Sequence, residues 1–283
     1  YNNNVLGGKR PRIITMLNSF HGRTYATLSA TGQDKVHKGF EPIADFFTHI
    51  PLNNLAAFEE EIAKEDVCAV IIEIYQGEAG VIPAEHDYVK ALVRLARQNK
   101  ILVVYDEVQT AFGRAGKIFA YERLDTPPDI MTLAKSIANG LPMGAVAATE
   151  NVADLFTYGT HASTFGGNLI AAAAAHAVLD LLLEEGFLEE VNKKGEYFRK
   201  YLLNALSEFP KYDEISIRGD GLMTGATFPF SNTDFINNAL DEELVALPGG
   251  LNSVRFYPPL TATINELEEA AEKAKEAYRR TLL

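Results

Sequence analysis

Tryptophan is absent from the 283-residue sequence, and cysteine occurs once, at position 68. One cysteine excludes a disulfide framework and a cysteine-based zinc site. Cys68 lies in the apolar run Val67-Cys68-Ala69-Val70-Ile71-Ile72 and reads as a small buried hydrophobe. No run is long and apolar enough to span a bilayer, and no signal-peptide pattern opens the chain. The sequence starts at Tyr1-Asn2-Asn3-Asn4 and passes straight into a strand-like segment. A cytoplasmic setting is the expectation. Excess positive charge is lacking as well. The formal net charge is -12, and lysine and arginine are not gathered into a run with interleaved aromatics, which argues against nucleic-acid binding. Apart from His21, whose expected part is packing or hydrogen bonding, the histidines show no metal-ligand spacing, so no metal site is expected.

What is present is an alternation of strand and helix patterns over a chain that is 47% hydrophobic, enough to bury a sizeable core. Strands are expected at 12–16, 67–74, 101–105, 129–133 and 143–149. Helices are expected at 53–64 and at 85–98, the latter with Val89, Leu92, Val93, Leu95 and Ala96 on one face. This succession predicts an α/β domain with a mostly parallel, doubly covered sheet. Beyond Asn168 the character changes. An alanine- and leucine-rich helix at 169–185 is followed by Gly186, a helix at 188–209, strands at 214–218, 222–228 and 253–257, and helices at 234–245 and 264–282. The expected division is 1–184 for the large domain and 185–283 for a smaller α+β domain.

In open α/β sheets ligands bind beyond the carboxyl ends of the strands. Asp106-Glu107-Val108-Gln109 follows the apolar run 101–105, and Lys135 follows Ile130-Met131-Thr132-Leu133-Ala134. Singly, an Asp at a strand end caps a helix, binds a metal or pairs with a cation, and a Lys just past a strand is a solvated terminus. Together, each led by apolar residues that draw it inward, they suit a partly buried amine of lowered pKa and a carboxylate that needs a cationic partner. A pyridinium nitrogen is such a partner, and pyridoxal phosphate (PLP) enzymes pair a Schiff-base lysine with an aspartate in this way. Ala111-Phe112-Gly113-Arg114-Ala115-Gly116-Lys117 lacks the P-loop spacing and is no nucleotide site. Ser163-Thr164-Phe165-Gly166-Gly167-Asn168 offers hydroxyls and glycine amides to an anion just before a long helix, or else is a helix entry capped by Asn168.

The chain resembles the class III, fold-type I PLP aminotransferases, and among them the acetylornithine and ornithine aminotransferases. The likeness is carried by Ser19-Phe20-His21-Gly22-Arg23-Thr24, Gln76-Gly77-Glu78-Ala79-Gly80, Asp106-Glu107-Val108-Gln109-Thr110, Ala134-Lys135 with Asn139-Gly140 and Pro142-Met143-Gly144-Ala145, the 163–168 segment, and Arg255-Phe256-Tyr257-Pro258-Pro259-Leu260, in family order. The resemblance implies that Lys135 carries the cofactor and that Asp106 pairs with its ring nitrogen. It implies Val108 and Phe20 on the two ring faces, Gln109 near the phenolic oxygen, and Glu107 as part of the cofactor-binding segment. Thr164 would reach the phosphate of a neighbouring subunit in a homodimer, with Ser163 near the substrate. Arg23 and Arg255 would grip substrate carboxylates, and Glu78 would pair with Arg255 when an ω-amine donor is bound. Two arginines suit a dicarboxylate such as 2-oxoglutarate. By residue type alone, Phe20 also fits plain core, Arg23 the surface, and Glu73 and Glu78 a solvated turn; Glu73, ending a buried strand, needs a partner.

The sequence departs from the family pattern at several places. The family's N-terminal segment and its Ser-Gly-Thr-Glu-Ala-Asn type phosphate loop have no counterpart after Tyr1. Glu73-Ile74-Tyr75 stands where Glu-Pro is usual, His161-Ala162-Ser163 where His-Gly-Ser is, and Leu169 where Pro follows Gly-Gly-Asn. Tyr75 is expected to narrow the pocket. The expected function is PLP-dependent transamination of N2-acetylornithine with 2-oxoglutarate. The alternatives are an ornithine, succinylornithine, lysine or 4-aminobutyrate aminotransferase, a racemase on the same fold, or a non-catalytic interaction module without a phosphate cup.

Overall fold

Twelve strands and ten α-helices make up the computed structural model, which describes residues 1–283. In chain order the strands are β1 (Arg12–Met16), β2 (Phe47–Ile50), β3 (Val67–Ile72), β4 (Tyr75–Gln76), β5 (Ile82–Pro83), β6 (Leu102–Asp106), β7 (Ile130–Leu133), β8 (Ala145–Ala148), β9 (Ser216–Arg218), β10 (Thr224–Thr227), β11 (Leu247–Gly249) and β12 (Ser253–Phe256). The helices are α1 (Asn2–Val5), α2 (Tyr25–Ala30), α3 (Asp34–His37), α4 (Leu55–Ile62), α5 (His86–Gln98), α6 (Glu150–Ala153), α7 (Leu169–Leu182), α8 (Phe187–Leu206), α9 (Asn232–Asp241) and α10 (Ile264–Thr281). No helix is long and apolar enough to cross a membrane.

The chain forms two compact units. The first takes residues 1–74, 84–109 and 120–179; the second takes 75–83, 110–119 and 180–283. In the first, a six-stranded sheet runs β2-β1-β3-β6-β7-β8. All neighbouring pairs are parallel except β7 with the edge strand β8. The central strands are apolar along their length because both faces are covered: Val67, Ala69, Val70 and Ile72 of β3 and Val103, Val104 and Tyr105 of β6 are buried. Helix α5 buries Tyr88, Val89, Leu92, Val93 and Ala96, one face at helical spacing; Leu95, expected on that face, is half-buried. The chain goes from β1 outward to β2 and then crosses back to β3 on the other side of β1, so the carboxyl ends of β1 and β3 flank a switch point of the sheet.

The second unit is an antiparallel sheet, β11-β12-β10-β9, with α8, α9 and α10. Phe198 and Leu202 of α8, Phe235 and Ala239 of α9, and Leu267, Ala271, Ala274 and Tyr278 of α10 share its core with Ala226, Val254 and Phe256 of the sheet. Helix α10 starts in a capping box: Thr263 Oγ1 accepts from Glu266 N, and Glu266 accepts from Thr263 N at 2.7 Å. Helix α9 ends at Asp241, short of the expected 245, where Glu243 turns into the left-handed region (φ 58°).

Candidate active site

Four strands of the first unit deliver polar residues at their carboxyl ends. β1 leads to Ser19, Phe20 and His21, β3 to Glu73, β6 ends on Asp106, and β7 leads to Lys135. Asp106 is the centre of this group. It lies opposite Thr132 in the β6–β7 register. Its Oδ1 accepts from Val108 N at 3.1 Å and from Thr132 Oγ1 at 3.2 Å. Its Oδ2 meets His21 Nδ1 at 2.7 Å. Burial works against the charge on Asp106, but the His21 hydrogen bond and charge and the Val108 and Thr132 donors outweigh it, so its pKa lies below the ordinary carboxylate value. His21 is the mirror case. Enclosure lowers its pKa, but the hydrogen bond and charge of Asp106 and the charge of Glu73 together outweigh that, and the net shift is upward. Each shift thus favours the charged form of its group, the carboxylate at Asp106 and the protonated ring at His21.

Glu73 has a partner that the sequence does not reveal. Its side chain is buried, and Oε2 accepts from Phe20 N at 3.1 Å. His21 N donates to Thr31 Oγ1 at 2.9 Å, which fixes the backbone that presents the ring. Phe20 is half-buried, and the Arg23 guanidinium lies over its ring at 5.4 Å from the centroid. Arg23 itself is exposed. Val108 and Gln109 are half-buried directly after Asp106.

Two expectations need correction. Lys135 is not drawn into the interior; it is exposed, because the chain leaves β7 and turns into the left-handed region at Lys135 itself (φ 51°), opening a short 3-10 helix, Lys135–Ala138. Glu107 is completely buried and spends its carboxylate on the backbone, Oε2 accepting from Ala120 N at 3.0 Å and Oε1 from Tyr121 N at 2.8 Å. It braces the 3-10 helix Ala120–Arg123 rather than reaching for a cofactor. The 163–168 segment is exposed, Ser163 and Thr164 included, and Asn168 caps α7 through Oδ1, accepting from Ile170 N and Ala171 N at 3.1 and 3.2 Å.

The second unit carries Glu78 and Arg255. Arg255 Nη1 donates to Glu78 Oε1 at 2.9 Å, and its Nε donates to Pro248 O at 3.0 Å. Arg255 is buried, with its guanidinium 5.8 Å from the Tyr257 ring centroid. Tyr75, expected to narrow a pocket, is buried and tied through its hydroxyl to the Asp220 carboxylate. Arg114, in the segment rejected as a nucleotide site, donates to Leu222 O and Pro258 O. The contacts of His21 and Thr132 with Asp106 were not read from the sequence. For His21 the expectation went no further than packing or hydrogen bonding; for Thr132 the usable signal was a hydroxyl set inside an apolar strand just ahead of Lys135.

The residues around Asp106 fit a protonated ring nitrogen. A carboxylate oxygen has two acceptor positions. Those of Oδ1 are both taken, while Oδ2 has a single donor and can accept one more N–H.

Residues 1–278 match the family model Aminotransferase class-III. The acetylornithine aminotransferase of Caldanaerobacter subterraneus subsp. tengcongensis is 46% identical over 94% of this chain and 67% of its own length. The crystal structure of the ornithine aminotransferase from Toxoplasma gondii superposes with a TM-score of 0.91 at 29% identity, covering 99% of this chain and 68% of that one. A second structure of the Toxoplasma enzyme, crystallised in the presence of oxidized glutathione and with partial occupancy of PLP at its active site, gives a TM-score of 0.88 at 29% identity, covering 96% and 64%. The chain thus spans about two thirds of the length of these relatives.

Proposed function

This chain belongs to the class-III aminotransferases, and from that premise we propose that it moves the ω-amino group of N2-acetylornithine to 2-oxoglutarate with PLP as cofactor, giving the semialdehyde and glutamate. The observation that carries the reading is the state of Asp106, an ionised carboxylate at a strand end with one acceptor position left on Oδ2, beside the strand that leads to Lys135.

PLP, when bound, supplies a protonated ring that draws off the electron pair left by a departing carbon-bound proton. Asp106 holds the ring nitrogen in its protonated form, and His21 holds Asp106. Lys135, exposed at the end of β7, would hold the cofactor through its amine and, once the substrate's amine had displaced it, would move the substrate proton as acid and base. Phe20 and Val108 pack against the ring, and Gln109 hydrogen-bonds near its phenolic oxygen. Thr164 binds the phosphate of the neighbouring subunit in a homodimer, and Ser163 lies near the substrate. Arg23 grips one substrate carboxylate. Arg255 grips the second carboxylate of 2-oxoglutarate or glutamate, and Glu78 neutralises Arg255 when the donor carries no charge there. Their ion pair, with Arg255 buried, supports that assignment. The proposed setting is the cytoplasm.

The test is spectroscopic. Protein mixed with PLP should develop a visible absorption band that Lys135→Ala removes and that glutamate bleaches. A band independent of Lys135, or none, would leave the non-catalytic interaction module as the better reading. A band that glutamate does not bleach argues against transamination. A panel of ω-amine donors then decides between N2-acetylornithine and its near relatives.

A further inference from the structure

Arg218 is a half-buried arginine with no carboxylate among its partners, and burial pushes its guanidinium below the ordinary value. Enclosing an uncompensated charge is costly, so its donors need a use. Nη1 donates to Thr227 Oγ1 at 2.7 Å. Nη2 donates to Gly80 O at 2.6 Å and, more weakly, to Ser253 Oγ at 3.3 Å.

The position of Arg218 explains the choice of acceptor. In the β9–β10–β12 sheet, Gly225 pairs with Arg218 on one side and with Arg255 on the other. Directly paired residues share a face of the sheet, so the two arginines stand on one face with a glycine between them. The slot over that glycine holds the 77–80 turn. A Cβ on Gly225 would come within 2.3 Å of Gly80 O, and one on Gly249 within 2.5 Å of Gly80 Cα. Gly250 N donates to Glu78 O at 3.0 Å. The turn that carries Glu78 is thus held at Glu78 itself and again two residues on, where the only side chain that donates to Gly80 O belongs to Arg218.

We propose that Arg218 is a positioning residue that fixes the Glu78 turn in register with Arg255, and that it thereby sets the preference between ω-amine donors and dicarboxylates. The inference rests on the reading of Glu78 and Arg255 given above. With the backbone pinned, Glu78 meets or leaves Arg255 by rotation of its side chain alone. Arg218 acts through Glu78 and touches no reacting atom.

The test uses the PLP-loaded chain and four variants: R218M, R218K, E78A and R218M/E78A. The readout is the ratio of kcat/KM for N2-acetylornithine to that for glutamate. R218M should lower the ratio about tenfold, the size of one lost charge-assisted hydrogen bond. R218K, which can still donate to Gly80 O, should keep most of it. E78A should lower the ratio too, and R218M/E78A should fall no further than E78A, because residues acting as a unit are not additive. Without cofactor, hydrogen exchange at the Gly80 and Val81 amides, both bonded to Gly77 O, should speed up in R218M and stay slow in R218K. A ratio unmoved by E78A refutes the Glu78–Arg255 reading and the inference with it. A ratio moved by E78A but not by R218M, or moved by R218M equally in both backgrounds, refutes the inference alone, as does unchanged exchange in R218M.

Discussion

His21 Nδ1 and Asp106 Oδ2 lie 2.7 Å apart, joining the loop after β1 to the end of β6 across 85 positions of sequence. The two side chains are 4% and 9% exposed, so the pair is shielded from solvent. His21, raised in pKa, contributes stability that is complete below the ordinary histidine value of 6.5 and is lost as pH climbs through its folded value. Asp106, lowered, contributes stability that is complete above the ordinary aspartate value of 3.8 and is lost as pH falls through its folded value.

The pair therefore works fully between those two ordinary values and fades outside them. His21→Ala should cost on the order of 3 kcal/mol near pH 6, since it leaves a buried carboxylate without its partner. Thermal melting at a series of pH values checks this. The gap between wild type and variant should shrink on the alkaline side, above pH 6.5, and a gap of constant size across that range would show that the charges do not couple. PLP affinity should fall in the same variant, because the Asp106 carboxyl rises and no longer secures a ring-nitrogen proton.

Glu73→Gln separates the role of charge from that of packing. The amide oxygen can still accept from Phe20 N, so the loop should stay in place, while the negative charge near His21 disappears. The His21 titration, followed by NMR, should move down towards the ordinary histidine value. The alkaline fall in melting temperature should move to lower pH with it. An unmoved titration would mean that Asp106 alone sets the state of His21.

The strand-end positions of Asp106 and Lys135 were legible because they are written locally: each charged residue follows an apolar run. The partner of Glu73 was not, because Phe20 N comes from 53 positions away. The exposure of Lys135 was not, because it depends on the left-handed turn at Lys135 itself, a conformation that a lysine seldom takes. Strands β2 and β11 escaped notice as edge strands, where Thr48 and His49 interrupt one apolar run and Pro248 sits in the other. Nothing local marks 75–83 and 110–119 as parts of the second unit, since they join it through distant contacts such as Gly80 O with Arg218 and Arg114 with Leu222 and Pro258.

Glu107→Ala should behave as a stability variant. It strands the buried N–H of Ala120 and the half-buried N–H of Tyr121, and two such losses cost about 2 to 4 kcal/mol. Denaturant unfolding should show that loss, while the PLP affinity of the folded fraction stays near wild type. A large drop in PLP affinity at unchanged stability would return Glu107 to the cofactor site.

The proposed homodimer would have exposed apolar side chains of the first unit to cover. Leu169 and Ile170 at the start of α7 are 84 and 71% exposed, and Phe165 and Phe156 in the chain before it are 83 and 64% exposed. Exposed large apolar side chains close together in the chain suit an association face, and they flank Thr164 in sequence, the residue proposed to reach a neighbour's phosphate. Changing Leu169 and Ile170 together to Glu places two like charges on that face without touching the Asn168 cap, which bonds only backbone N–H groups. Light scattering should find the wild type as a dimer and the double variant as a monomer, and the monomer should bind PLP weakly because Thr164 reaches no partner. A wild type that is monomeric and yet binds PLP at full strength would sink both the dimer and the role given to Thr164.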